Sequence, residues 1–476
     1  MKMGLYIDGE YNKTDTMYEL INPYNNELIA KVSEGTTEDM KKAVASAHQA
    51  FQKMKRTSAL ERANILFNAA RLLNDRKEEF AKLITVEAGK PITASRAEVE
   101  RSVQTLQFSG EEAKQSQGEY IPLGAATGGT GRDAYTVFEP LGVVGAVTPF
   151  NFPLNLTVHK VGPAIAAGNT IVVKPAEKTP LSALKLAELF TKAGLPDGAL
   201  NVIPGEGKAI VKVLLEDERV KKISFTGSPE VGKEIKNQAG LKRMTLELGS
   251  NSALYVDASV KDELKNIVQK SVNGAFAYNG QVCIHTQRIY VHEEIADAFL
   301  EEFVKGTEKL TFGDPLDEKT VITGMINKKS RERVLAWVRE AVDGGAELLT
   351  GGVTRETGIL PTVLTNVHAS AKVVCEEVFG PVVVINRVAS PEKALELMND
   401  SQYGLNAGVF TNNLKQSLYF AHELEVGQVL INDVPTLRFD NMPYGGVKES
   451  GYGHEGVKYA IREMTKMKLI SLNYQF

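Results

Sequence analysis

Between residues 143 and 248, short β-branched runs alternate with helical ones, and few folds accommodate that alternation. The runs 143–147, 170–173, 200–203, 222–225 and 244–248 read as strands, while 182–193 and 208–215 carry the apolar spacing of helices. Strands that are apolar on both faces and joined by crossover helices form a parallel, helix-covered sheet, so an α/β fold is expected. A second unit of the same kind follows. It has a helical stretch over 260–278, a strand at 288–291, an amphipathic helix over 327–343, and buried strands at 382–385 and 428–431. A chain of 476 residues exceeds one ordinary core, so two sheet-bearing domains fit its length.

The flanking sequence has a different texture. Residues 58 to about 114 repeat apolar positions at helical spacing between charges and read as amphipathic helices. Residues 124–131, rich in glycine, alanine and threonine, read as a turn between extended segments. The last run, 467–474, alternates apolar and polar residues in a lone strand without a sequence-adjacent partner, which suggests pairing with another chain.

Several function classes are poor fits. A net charge of −4, with 43% hydrophobic and 24% charged residues, leaves no basic excess for nucleic acid or an anionic membrane. No apolar stretch reaches the roughly 18 residues of a membrane span, and residues 1–6 lead into polar sequence rather than a signal-peptide core. A cytoplasmic protein is expected. Two cysteines, Cys283 and Cys375, are too few for a disulfide scaffold. Seven scattered histidines, with no H-x-x-x-H pair and no C-x-x-C, give no reason to expect a metal.

Chemistry concentrates at a few positions. Cys283 follows Ala277-Tyr278-Asn279-Gly280-Gln281-Val282, a turn of small and polar residues in which a thiol is reachable, and a thiolate forms acyl or hemithioacetal adducts. The bland alternative is a small buried apolar cysteine. Glu247 in Leu246-Glu247-Leu248-Gly249 is a candidate base. Gly205-Glu206-Gly207 lacks the third glycine of a dinucleotide fingerprint. In its place Phe225-Thr226-Gly227-Ser228-Pro229 ends a strand in Gly-Ser and opens a helix, where backbone amides and a hydroxyl can bind phosphate. Ser228 as a plain helix cap is the competing reading. Lys174-Pro175-Ala176-Glu177 closes a buried strand with a cation and a carboxylate. A glutamate there can accept both ribose hydroxyls and repels a 2′-phosphate, which favours NAD over NADP.

Taken in order, Thr148-Pro149-Phe150-Asn151-Phe152-Pro153, Lys174-Pro175-Ala176-Glu177, Phe225-Thr226-Gly227-Ser228, Glu247-Leu248-Gly249, Gly280-Gln281-Val282-Cys283, Glu377-Val378-Phe379-Gly380-Pro381 and Pro443-Tyr444-Gly445-Gly446-Val447-Lys448 resemble the aldehyde dehydrogenase superfamily over essentially the whole chain. The resemblance implies a Rossmann-like NAD-binding domain (1–118 and 141–249), an α/β catalytic domain (250–455) and a small β oligomerisation arm (119–140 and 456–476). It implies a homodimer or homotetramer acting on a small aldehyde. By the same resemblance Cys283 attacks the carbonyl and Asn151 holds the oxyanion with the Cys283 backbone N–H. Hydride passes to the nicotinamide, and Glu247 activates the water that hydrolyses the thioester. Lys174 and Glu177 match the residues that hold the adenosine ribose, Gly227 and Ser228 those at the pyrophosphate, and Phe150, Glu377 and Phe379 those on the nicotinamide side. Glu247 favours hydrolysis over acyl transfer to coenzyme A, and Cys375 matches no catalytic position.

Departures from the common pattern bear on substrate. Ser250 stands where many relatives have a second glycine, and His159 where relatives acting on succinic semialdehyde often have arginine. Phe152-Pro153-Leu154-Asn155-Leu156 together with Arg438-Phe439-Asp440-Asn441-Met442-Pro443 looks most like the lactaldehyde dehydrogenase branch. A short 2-hydroxyaldehyde is expected, either lactaldehyde or, with Arg438 and His159 as an anion site, 3-sulfolactaldehyde. A surface charge or salt-bridge partner for Arg438 and a packed or capping role for His159 are the competing readings. Succinic semialdehyde or glyceraldehyde 3-phosphate is the alternative substrate. A non-redox thiol acyl transferase or hydrolase, and a catalytically silent scaffold, are the alternative classes.

Overall fold

The five runs expected as strands between 143 and 248 lie side by side in the computed structural model, which describes residues 2–115 and 118–474. Residue 1, 116–117 and 475–476, which the expected domain segments include, lie outside the described residues. The strand order is Arg243–Glu247, Val220–Thr226, Val143–Val147, Thr170–Lys174, Leu200–Val202, all parallel. Gly451–Tyr452 extends one edge, and the hairpin Leu5–Ile7 with Glu10–Asn12 the other, both antiparallel.

Alternate side chains of a single strand face two cores. Ile171 and Val173 pack with Val158, Val161 and Ile165 of helix Asn155–Ala166, whereas Val172 faces Met40, Ala43 and Ala47 of helix Thr37–Met54. Burial of each such side chain is worth about 1.5–3 kcal/mol and fixes the strand's register, because a one-residue slip would swap its faces. The parallel part of this sheet starts in the middle with Val143–Val147, steps outward twice, then returns to the other side. The switch point therefore falls between Val143–Val147 and Val220–Thr226, at whose carboxyl ends a crevice opens.

The second sheet runs Glu347–Thr350, Thr362–Thr365, Val382–Val388, Arg288–His292, Ala253–Val256, Asn406–Phe410, Gln428–Ile431, with only its first strand antiparallel. Gln428–Ile431 was expected to be buried but is an edge strand, with Ile431 37% exposed. Its apolar run resembles a core strand in composition alone. The helical stretch expected over 260–278 is Leu264–Phe276 between two 3₁₀ turns, Ala258–Glu263 and Ala277–Gly280.

Helices Ala59–Asp75, Lys77–Ala88 and Ile92–Ala113 form as their periodicity indicates, and they pack on helices Asn155–Ala166 and Leu181–Lys192. Reciprocal capping boxes, Thr36 with Asp39 and Ser58 with Glu61, start two of the amino-terminal helices. The terminal strand has a partner within its own chain on one side and forms an edge of its small sheet on the other. Thr465–Asn473 pairs antiparallel with Arg132–Pro140 over its whole length, and Tyr120–Ile121 adds a third strand across the glycine-rich turn. Met467, Leu469, Leu472 and Tyr474 of this arm are exposed. No described helix is long and apolar enough to cross a membrane.

Candidate active site

The carboxyl edge of the first sheet faces loops at the amino edge of the second, and the expected site residues come from both. On the first side, strand Val143–Val147 runs into Thr148, whose N–H donates to Lys174 O at 3.1 Å, and then into Phe150 and Asn151. Asn151 is buried. Its Nδ2 donates to Gln281 O at 3.0 Å, and its Oδ1 has no protein partner. Lys174 ends its strand with Nζ 3.2 Å from Glu177 Oε1, and that oxygen also accepts the Gly207 N–H at 3.0 Å. Burial pushes the Lys174 amine below its usual range, against the Glu177 charge.

A cavity of about 460 Å³ opens at the switch point, lined among others by Val147, Lys174, Gly207, Phe225 and Ile235. The exposed Ser228 caps helix Pro229–Gln238, its hydroxyl accepting the Val231 N–H at 3.4 Å, with Gly227 beside it. An apolar slot with an ammonium–carboxylate pair at its mouth and a helix start nearby suits the adenosine and phosphates of a dinucleotide.

On the second side, the loop before strand Arg288–His292 is held under strain. Tyr278, Asn279 and Gly280 have φ of 46°, 56° and 66°. Tyr278 Oη donates to Ala88 O at 2.6 Å, Asn279 Nδ2 to Gly324 O at 3.0 Å, and Gln281 Oε1 accepts the Ile326 N–H at 3.0 Å. Only glycine fits at 280, where a Cβ would lie 2.1 Å from Gly380 O. Strain of this kind persists where surrounding contacts over-determine the backbone. Half-buried Cys283 follows, with Sγ 3.1 Å from Tyr444 Oη. Burial pushes its thiol up to about 11, opposed by the Tyr444 hydrogen bond and the Arg438 charge.

Glu377 and Phe379 enter from the loop before strand Val382–Val388. Glu377 Oε1 accepts the Ser250 N–H at 3.0 Å, and a Cβ at Gly249 would stand 2.8 Å from Oε2, so the missing side chain leaves that carboxylate its room. Burial raises the Glu377 carboxyl to about 7. Phe379, at φ 47°, packs edge-to-face on Phe150 with centroids 5.7 Å apart.

Glu247, the last residue of its strand, is 3% exposed, and both carboxylate oxygens lack protein partners. Burial and the neighbouring Glu455 raise its carboxyl well above the usual range, against the Arg438 and Lys160 charges. Glu455 itself is paired: Lys160 Nζ stands 2.7 Å from Oε1 and Arg438 Nη2 3.4 Å from Oε2. Burial works to raise the Glu455 carboxyl, but these two cations hold it down at about 2. Lys160 also donates to Ser224 Oγ at 3.0 Å and Thr226 Oγ1 at 2.8 Å.

Arg438 is no surface arginine. Its side chain is 7% exposed, its Cζ sits 3.7 Å over the Tyr444 ring, and its Nε has no protein partner. His159 is buried one layer further back. Its Nε2 lies 2.8 Å from Asp440 Oδ1, a carboxylate that Arg101 grips at 3.0 and 2.7 Å, and its Nδ1 has no protein partner. Burial, with Arg438, lowers the imidazole pKa. Cys283, Tyr444, Arg438, Glu455, Lys160 and Glu247 thus form one connected cluster. Tyr444 was singled out only within a motif, and Lys160, Glu455, Arg101 and Asp440 not as functional residues. No local signal marks them, because Lys160 and Glu455 are 295 residues apart. Among the described residues, no group of three or more His, Cys, Asp or Glu is placed to hold a metal ion.

The chain is similar to known proteins over nearly its whole length. The model of the aldehyde dehydrogenase family matches residues 10–470. A 3-sulfolactaldehyde dehydrogenase of Priestia aryabhattai is 50% identical over 99% of this chain and 98% of its own. A lactaldehyde dehydrogenase of Methanococcus aeolicus is 41% identical over 98% and 100%. Among solved structures, aldehyde dehydrogenase 21 from Physcomitrella patens, in complex with the reaction product succinate, superposes with a TM-score of 0.97 at 39% identity, covering 100% of this chain and 98% of the other. A glyceraldehyde-3-phosphate dehydrogenase from Methanocaldococcus jannaschii complexed with NADP gives 0.92 at 40% identity, covering 97% and 100%.

Proposed function

The chain belongs to the aldehyde dehydrogenase family, and from that premise we propose that it oxidises a short 2-hydroxyaldehyde, 3-sulfolactaldehyde ahead of lactaldehyde, to the free acid with NAD. The observation that carries the proposal is the buried Arg438 guanidinium in the cluster that holds Cys283 Sγ and Glu247, with an unpartnered Nε. An unsatisfied buried donor on a cation suits an anionic substrate group. The similarity to a 3-sulfolactaldehyde dehydrogenase and a lactaldehyde dehydrogenase supports the same substrate class.

In this reading the Cys283 thiolate attacks the aldehyde carbon and forms a thiohemiacetal. Asn151 and the Cys283 N–H hold the oxyanion; one Asn151 Nδ2 hydrogen is taken by Gln281 O and the second is the donor used. Lys174 and Glu177 hold the adenosine ribose, Gly227 and Ser228 lie at the pyrophosphate, and Glu377, Phe150 and Phe379 frame the nicotinamide end. When bound, the dinucleotide supplies the hydride acceptor. The oxidised acyl group stays on Cys283 as a thioester. Glu247, free of protein hydrogen bonds and with a raised pKa, takes a proton from water, whose oxygen attacks the thioester and releases acid and thiol. The Glu177 carboxylate at the ribose end supports NAD over NADP.

The division into cofactor domain (1–118, 141–249), catalytic domain (250–455) and arm (119–140, 456–476) belongs to the same proposal. The arm's exposed apolar residues support a homodimer or homotetramer. The unpaired cysteines suit a reducing cytoplasm. A second reading, succinic semialdehyde or glyceraldehyde 3-phosphate, is favoured by the titles of the two structural neighbours and uses the same cation. The test is NADH and NADPH formation with lactaldehyde, glycolaldehyde, succinic semialdehyde, glyceraldehyde 3-phosphate and 3-sulfolactaldehyde, with and without coenzyme A. Preference for NAD and 3-sulfolactaldehyde, indifferent to coenzyme A, is expected. Preference for either alternative anion selects the second reading, and no oxidation of any aldehyde overturns both.

A further inference from the structure

Tyr444 has a hydroxyl that the mechanism above leaves unused. The residue is 2% exposed, and among the described residues its hydroxyl meets Cys283 Sγ at 3.1 Å. The backbone is fixed by two reciprocal hydrogen bonds with Glu455, the Tyr444 N–H donating to Glu455 O at 3.1 Å and the Tyr444 carbonyl accepting the Glu455 N–H at 2.7 Å. Glu455 in turn ion-pairs with Arg438, and the Arg438 Cζ lies 3.7 Å from the Tyr444 ring centroid. The phenol is therefore clamped from below by the backbone bridge and from one face by a buried cation.

We propose that Tyr444 is a further catalytic residue, whose phenol donates to Cys283 Sγ and stabilises the ionised sulfur for attack, with Arg438 stacked on the ring as its charge partner. The proposal rests on the reading that Cys283 is the nucleophile.

A thiol can donate to a phenol oxygen, but an ionised sulfur can only accept, so on ionisation the phenol must be the donor. It remains protonated to serve. Burial first, and then the Cys283 charge, keep its own pKa well above the ordinary phenol value. The influences on the sulfur divide: the Tyr444 hydrogen bond and the Arg438 charge favour the thiolate, whereas burial, Glu377 and Glu247 oppose it. The first pair offsets part of the cost of placing a negative sulfur near the two carboxyl groups. Once the sulfur carries an acyl group it is a weak acceptor, so the hydrogen bond favours the thiolate over the thioester. A phenylalanine at 444 would keep the ring, the stacking and the backbone bridge and lose only this hydrogen bond.

The test is site-resolved alkylation of Cys283 by iodoacetamide, with mass spectrometry separating it from Cys375. A hydrogen bond to a charged acceptor corresponds to a shift of about 1–2 pH units. The higher intrinsic nucleophilicity of a more basic thiolate returns part of that loss, leaving alkylation of Tyr444→Phe at pH 8 slower by about 3–10-fold. Arg438→Gln, which leaves the phenol but removes the stacked charge, is expected to slow it as well, and serves if Tyr444→Phe does not fold. An unchanged or faster rate in the folded variant overturns the proposal; greater access alone would make alkylation faster. Cys283→Ala separates the two claims. Turnover surviving in that variant removes the nucleophile reading and this inference together, whereas an inactive Cys283→Ala with unchanged alkylation in Tyr444→Phe removes the inference alone.

Discussion

On the proposed mechanism, replacing Glu247 with glutamine separates the two halves of the reaction. The amide keeps the shape of the side chain, and neither carboxylate oxygen has a protein hydrogen bond to lose, so the local structure is expected to survive. What disappears is the base. General-base catalysis contributes about 10²–10⁴ in rate, or about 2.7–5.4 kcal/mol of barrier at 1.36 kcal/mol per decade. Acylation does not need Glu247, so Glu247→Gln is expected to release one equivalent of NADH per site in a burst and then turn over about 10²–10⁴ times more slowly than the parent. Stopped-flow absorbance reads both phases. Stability should move the other way. Because burial holds the native carboxyl above its unfolded value, the native state is penalised as pH rises from the unfolded value through the raised one. The variant should therefore melt higher than the parent at neutral pH, with the gain vanishing below about pH 4. Steady turnover at the parent rate, or loss of the burst itself, would refute the assignment of Glu247 to deacylation.

Four further outcomes are expected. The parent's kcat/KM should rise with pH between 7 and 9, since Cys283, pushed up to about 11, acts deprotonated; a falling profile would contradict its role as nucleophile. Asn151→Ala should lower kcat by about 10²–10³ through loss of an oxyanion donor, measured with saturating aldehyde. Glu177→Ser should narrow the preference for NAD over NADP in the ratio of kcat/KM values, because the carboxylate that repels a 2′-phosphate is gone; an unchanged ratio removes Glu177 as the selector. Arg438→Met should raise KM for 3-sulfolactaldehyde relative to lactaldehyde by about 10–100-fold, the worth of one hydrogen bond to a charge. Equal effects on both substrates would leave Arg438 with its thiolate role only.

Local pattern carried the parts of the fold that depend on local physics. Ile171, Val172 and Val173 announce a strand buried on both faces because both of its faces meet helices. Ser58 and Glu61 announce a helix start because the capping box is a four-residue event. The partner of Thr465–Asn473 was not legible in the same way, since a strand's own alternation says nothing of which distant strand will pair with it. Nor was the exposure of Gln428–Ile431, because edge and centre differ in neighbours rather than in composition. At the site, Cys283, Glu247 and Asn151 stand within short recognisable segments. The Lys160–Glu455–Arg438 network, which sets the charge around Glu247, comes from three separate stretches of chain and leaves no mark on any of them.

The most direct measurement is NADH formation by Cys283→Ala, checked for folding by thermal melting and for NAD binding by calorimetry, with the parent's best aldehyde. A thiohemiacetal route requires that a folded, NAD-binding Cys283→Ala protein form no NADH. NADH formation persisting in that variant at a measurable fraction of the parent rate would contradict nucleophilic catalysis by Cys283.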